Sequence, residues 1–79
     1  MGNKNEDFNV LFGRFVIEAR TKLDITQEKA ADLAEVSYRT YQRIEAGESE
    51  PKNYTIYKLS HALHINIHQV YAEIRNRLS

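Results

Sequence analysis

Residues 26–47 read TQEKAADLAEVSYRTYQRIEAG, and this stretch predicts two short helices joined by a tight turn. Thr26 caps the first through its hydroxyl, after which Ala30, Ala31, Leu33 and Ala34 recur at the three-and-four spacing of a buried stripe. Small residues there let two helix backbones approach closely. Ser37 caps the second helix, with Val36 before the cap and Tyr41 four residues beyond it as a hydrophobic staple. Tyr41 and Ile44 are expected to face inward, leaving Tyr38, Arg39, Thr40, Gln42 and Arg43 outside. That outer set holds donors, acceptors and two guanidinium groups, a composition suited to base edges and phosphates. Gly47 supplies a left-handed stop.

The segment resembles the helix-turn-helix of the phage repressor and Cro family (XRE-like regulators). Its members show a Gln-Glu-x-x-Ala opening, a Val-Ser before the recognition helix and Ile-Glu-x-Gly at its end. Here these are Gln27, Glu28 and Ala31, then Val36 and Ser37, then Ile44, Glu45 and Gly47. The likeness runs on to Arg20, Pro51, Thr55, Leu59, Ala62 and Leu63, and so covers roughly residues 10–70.

The resemblance implies an all-α, five-helix lambda-repressor-like domain with the helix-turn-helix at its second and third helices. It implies a sequence-specific regulator of transcription, expected to be a repressor, that binds a roughly palindromic double-stranded DNA operator as a homodimer. Two recognition helices would then enter successive major grooves about 34 Å apart. Tyr38, Arg39 and Arg43 are the expected base contacts, while Thr40 and Gln42 are assigned to phosphate or water. By likeness to the family's matching glutamine, Gln27 is assigned to phosphate, helped by the exposed amides at that helix end. The family also pairs an arginine at position 20 with the glutamate at position 45, which implies an Arg20–Glu45 tie between the first helix and the recognition helix. Glu35 stands where the family usually has glycine, at a position that commonly needs positive φ.

Charge argues the other way. Eleven basic and eleven acidic residues leave a formal net charge of zero, and Glu48 and Glu50 follow the recognition helix where basic or neutral residues are common in the family. A competing reading is therefore a protein-interaction module, such as an antirepressor or antitoxin-like partner, that keeps the fold without binding DNA. Against it, Arg39 and Arg43 lie one turn apart and form a local positive face.

Seventy-nine residues suit one domain, which buries only about 60% of its unfolded surface. The chain has no cysteine, hence neither a disulfide framework nor a thiolate metal site. No apolar run reaches membrane length, no signal-peptide core is found near the start, and Glu6 breaks a myristoylation pattern, so a cytoplasmic protein is expected.

Residues 1–7 are expected to be a flexible tail and 8–79 the domain. The first helix, capped by Asp7 or Asn9, carries the stripe Phe12, Phe15, Val16, Ala19 and Leu23. After Pro51 a fourth helix starts at Asn53 or Thr55, turns Ile56, Leu59, Ala62 and Leu63 inward, and ends at Leu63. Asn66 caps a fifth, whose Ile67, Val70, Tyr71, Ile74 and Leu78 exceed what a last helix needs for its own core. Val70, Tyr71, Ile74 and Leu78 are accordingly the expected dimer interface, with Arg75 and Arg77 in solvent. His61, His64 and His68 fall on different elements without carboxylate or cysteine companions at ligand spacing. No metal, cofactor or small-molecule ligand is expected. Neither a nucleophile triad nor a glycine-rich phosphate loop is present, and the chain does not read as an enzyme.

Overall fold

The computed structural model describes residues 4–79, with side chains from Asp7 onward. Its elements are α1 (Lys4–Lys22), α2 (Gln27–Ala34), α3 (Tyr38–Glu45), α4 (Asn53–Ala62) and α5 (Ile67–Leu78). No described residue is in a strand, and no described helix is long and apolar enough to cross a membrane.

The starts of three helices follow directly from their capping residues. Thr26 accepts from the Lys29 amide, Ser37 from the Thr40 amide and Asn66 from the Gln69 amide, and such a cap is worth about 1 kcal/mol over alanine. Lys52 precedes α4 without a side-chain cap. α1 differs from expectation, since it begins at Lys4, ahead of both predicted caps. Asn9 is inside the helix, where its Oδ1 is buried without a hydrogen-bond partner among the described residues. Of the expected tail, residues 4–7 are helical, and residues 1–3 lie outside the described part.

The first four helices all end in the same backbone reversal. Asp24, Glu35, Gly47 and His64 each adopt positive φ, at 56°, 56°, 74° and 58°. The amide that follows each then reaches back over the last turn: Ile25 to Arg20, Val36 to Ala31, Glu48 to Arg43 and Ile65 to Ser60. This 6→1 bond satisfies a carbonyl that the helix itself leaves free. Only one of the four positions is a glycine.

The core brings together Phe12 and Val16 of α1, Ala30, Ala31 and Ala34 of α2, Tyr41 and Ile44 of α3, Ile56 and Leu59 of α4, Leu63, and Val70 and Ile74 of α5. α1 packs on α3 and α5, and α2 on α3 and α4. Two expected stripe members lie outside this core. Leu33 is exposed, because α2 turns only a narrow arc inward and residue 33 sits roughly 60° beyond Ala30. Leu23 is also exposed and falls past the end of α1. Phe15 and Ala19 are half-buried against the core.

Candidate nucleic-acid interface

α3 divides into two faces. Tyr41, Ile44 and Glu45 are buried, while Tyr38, Arg39, Gln42 and Arg43 are exposed and sweep an arc of about 140° on the opposite side. Arg39 and Arg43 form no ion pair among the described residues. Their guanidinium groups therefore keep all their donors for an external partner. Thr40 lies on the flank of α3. Its Oγ1 accepts from the Ser37 hydroxyl at 2.8 Å, and Ser37 Oγ in turn accepts from the Thr40 amide at 3.0 Å. Thr40's own hydroxyl proton is left to donate outward.

The inner face of α3 is anchored through one carboxylate. Arg20 of α1 donates from Nε to Glu45 Oε2 at 2.7 Å and from Nη2 to Oε1 at 3.3 Å. Gln27, the first residue of α2, donates from Nε2 to Oε1 at 2.8 Å, and the Tyr41 hydroxyl donates to Oε2. Arg20 also donates from Nη1 to the Ile25 carbonyl at 3.0 Å, holding the α1–α2 turn. Burial by itself would push the Glu45 carboxyl up. The hydrogen bonds from Arg20, Tyr41 and Gln27, with the Arg20 charge, outweigh it and hold the group below the ordinary carboxylate value. Arg20 is pushed up, first by its hydrogen bond to Glu45. Desolvation, followed by the hydrogen bond to Glu45, raises the Tyr41 phenol.

The implied Arg20–Glu45 pair is thus present, as the centre of a four-residue network. Tyr41 is buried in the core, as its place in the helical stripe predicts, and its hydroxyl adds a bond to Glu45 that periodicity does not predict. Gln27, assigned to phosphate, is half-buried with one amide hydrogen committed to Glu45, which leaves the second for another acceptor. Lys58 of α4 is a further participant that sequence patterning did not single out. Its Nζ donates to the Glu35 carbonyl in the α2–α3 turn at 3.0 Å and lies 4.8 Å from the Tyr54 ring centroid.

The α2–α3 turn holds Glu35 at the position where the family usually has glycine. Glu35 takes φ 56° and ψ 42°, so the left-handed geometry is kept without glycine. Beyond α3, Glu48 and Glu50 are exposed. On α5, Val70 and Ile74 are buried in the domain's own core, whereas Tyr71 is exposed and Leu78 half-buried. The expected interface residues therefore split, and only Tyr71 and Leu78 present surface outward. They line a mostly apolar groove with Phe8, Pro51, Ile56 and Ile74, which also takes in Glu50, Asn53 and Arg75. His61 stacks on Tyr57, and His64 occupies the reversal after α4.

Five helices with a capped two-helix unit, one face anchored and the other exposed, define a helix-turn-helix domain of lambda-repressor-like fold. A family model described as helix-turn-helix matches residues 16–70, more than half of the chain. The chain belongs to this Cro/C1-type helix-turn-helix family of DNA-binding regulators. A search of curated proteins finds no match. The matched region takes in α2, α3 and α4 whole and stops within α5, before Tyr71 and Leu78.

Proposed function

We propose that the chain is a sequence-specific repressor that binds a roughly palindromic operator as a homodimer. The observation that carries the reading is the division of α3: three residues hold the helix to its own domain, while Tyr38, Arg39, Gln42 and Arg43 are exposed on the opposite face. Arg39 takes a guanine edge in bidentate fashion, Arg43 reads a second base, and Tyr38 meets a thymine methyl or a base edge. Thr40, Gln42 and the second amide hydrogen of Gln27 bind phosphate, fixing register without reading sequence. Tyr71 and Leu78, with the groove beside them, supply the surface for the second copy.

Selection of bound duplexes from a randomised pool tests this reading, with affinity for the winner followed against salt. An enriched palindrome with half-sites about one helical turn apart is the expected result. The exposed Glu48 and Glu50 beside α3 favour the second reading, a protein-interaction module without DNA binding. Weak binding at low salt with no enriched sequence would establish that alternative over the first.

A further inference from the structure

We propose that Lys58 of α4 is a positioning residue for the α2–α3 turn: it holds Glu35 in the left-handed conformation without glycine and so fixes how the chain enters α3. This goes beyond the reading above, which gives Lys58 no part in binding. Its operator readout rests on that reading, whereas its amide-exchange readout does not.

The peptide between Glu35 and Val36 is bonded at both edges. Its N–H donates to the Ala31 carbonyl of α2 at 3.1 Å, and its carbonyl accepts from Lys58 Nζ of α4 at 3.0 Å. The reversals at Asp24, Gly47 and His64 have the matching amide bond. Among the described hydrogen bonds, however, only the Glu35 carbonyl receives a side-chain donor. The difference follows residue type. Glycine enters the left-handed region freely, and Asp and His are enriched there, whereas Glu is not. The second bond thus falls on the reversal whose residue is least suited to it.

Lys58 is itself half-buried and braced. Its ammonium lies 4.8 Å from the ring centroid of Tyr54, one turn earlier, and the Tyr57 ring runs within 11° of parallel to that of Tyr54. Both tyrosines are exposed. A ring face beside the cation narrows the motion of the lysine stem, so less freedom is lost when Nζ reaches the turn. Beyond Val36 the chain passes at once to Ser37, the cap of α3, and then to Tyr38 and Arg39. Rotation of the 35–36 peptide would carry that end of α3 with it, while Glu45 keeps the other end anchored.

The test compares Lys58→Met, which keeps the stem and removes the donors, with Lys58→Arg, which keeps a cation of similar reach. Each is made in the parent chain and in Glu35→Gly. One readout is affinity for the pool-selected duplex. The other is hydrogen exchange at the Val36 amide relative to that of Ile65, which makes the same 6→1 bond across the α4–α5 reversal. In the parent, Lys58→Met is expected to lower affinity, and to speed Val36 exchange relative to Ile65, by roughly threefold to tenfold, the worth of one hydrogen bond. Lys58→Arg should stay within about twofold, and in Glu35→Gly both effects of Lys58→Met should shrink to about twofold or less, since glycine holds the turn unaided. An affinity loss that persists in Glu35→Gly with Val36 exchange unchanged would make Lys58 a phosphate contact and overturn the positioning role. Equal acceleration at Val36 and Ile65, or none at either, overturns it as well. Should the parent chain bind no duplex, the DNA-binding reading falls by itself, and the exchange comparison still decides the turn.

Discussion

Gly13 of α1 lies directly against the Ile44 carbonyl at the end of α3: a methyl group built on Gly13 would be 2.5 Å from that oxygen and 2.7 Å from the Glu45 carbonyl oxygen. Both neighbours are backbone atoms, and neither can rotate away. Alanine would gain about 0.5–1 kcal/mol in helix propensity at this position. Overpacking against a fixed wall costs about 1–3 kcal/mol, and the clash wins. Gly13→Ala is therefore expected to lower the urea midpoint, and a midpoint that stays level or rises would mean that α1 and α3 do not meet here.

The left-handed residues give a pair of opposite predictions. Glu35 carries a Cβ at φ 56°, a conformation that costs on the order of 1 kcal/mol. Glycine removes that strain but adds freedom to the unfolded chain, for a net gain of roughly 0.5–1 kcal/mol. Gly47→Ala does the reverse at φ 74°, with a Cβ 2.9 Å from Val10 Cα. Thermal unfolding of the two variants should bracket the parent, and the reading of the shared reversal fails if both move the same way.

Stability should respond to pH at both ends of the scale. The folded pKa of Glu45 lies below its ordinary value near 4.5, so its stabilisation is complete above that value and is lost as pH falls through the folded pKa. Glu45→Gln is expected to lower stability near neutrality, because Arg20 loses its partner, and to flatten the acid limb. Tyr41 is displaced upward from 10.0, so its contribution is complete below that pH and declines above it. Tyr41→Phe should remove that alkaline component. Urea midpoints across the pH range check both signs, and an acid limb equally steep in Glu45→Gln would show that other carboxylates drive it.

At the outer face, Arg39→Ala is expected to weaken operator binding by about 1–3 kcal/mol and relax preference at one base pair, with Arg43→Ala doing so at another. Neither residue has an ion-pair partner within the described protein, so unfolding midpoints should hardly move. Binding isotherms on single-substituted operators separate the outcomes; equal losses on every duplex would reassign the arginine to phosphate.

Local chemistry made much of this architecture legible. Thr26, Ser37 and Asn66 are small polar residues ahead of apolar periodicity, and each caps where its side chain predicts. Family resemblance supplied the Arg20–Glu45 pair and the unusual turn at Glu35. What stayed hidden depends on residues distant along the chain. Gly13 has meaning only because the α3 carbonyls face it, and the Tyr41 hydroxyl only because Glu45 is buried beside it. On α5, periodicity grouped Val70 and Ile74 with Tyr71 and Leu78, since a helical stripe does not reveal which part of it the domain consumes. The start of α1 was misplaced for a related reason: Asp7 and Asn9 are good capping types, but the helix extends through both.

Alanine has no side-chain rotamers to redistribute. The side chains that α2 buries are Ala30, Ala31 and Ala34, so its joint with α3 has little side-chain freedom with which to absorb a perturbation by repacking. Tyr38, Arg39, Gln42 and Arg43, by contrast, are exposed on the side of α3 away from this joint. The two halves of the helix are therefore free to evolve at different rates. Exposed side chains can be exchanged on an unchanged mount, and the outer surface of α3 can drift widely while the fold stays under tight constraint.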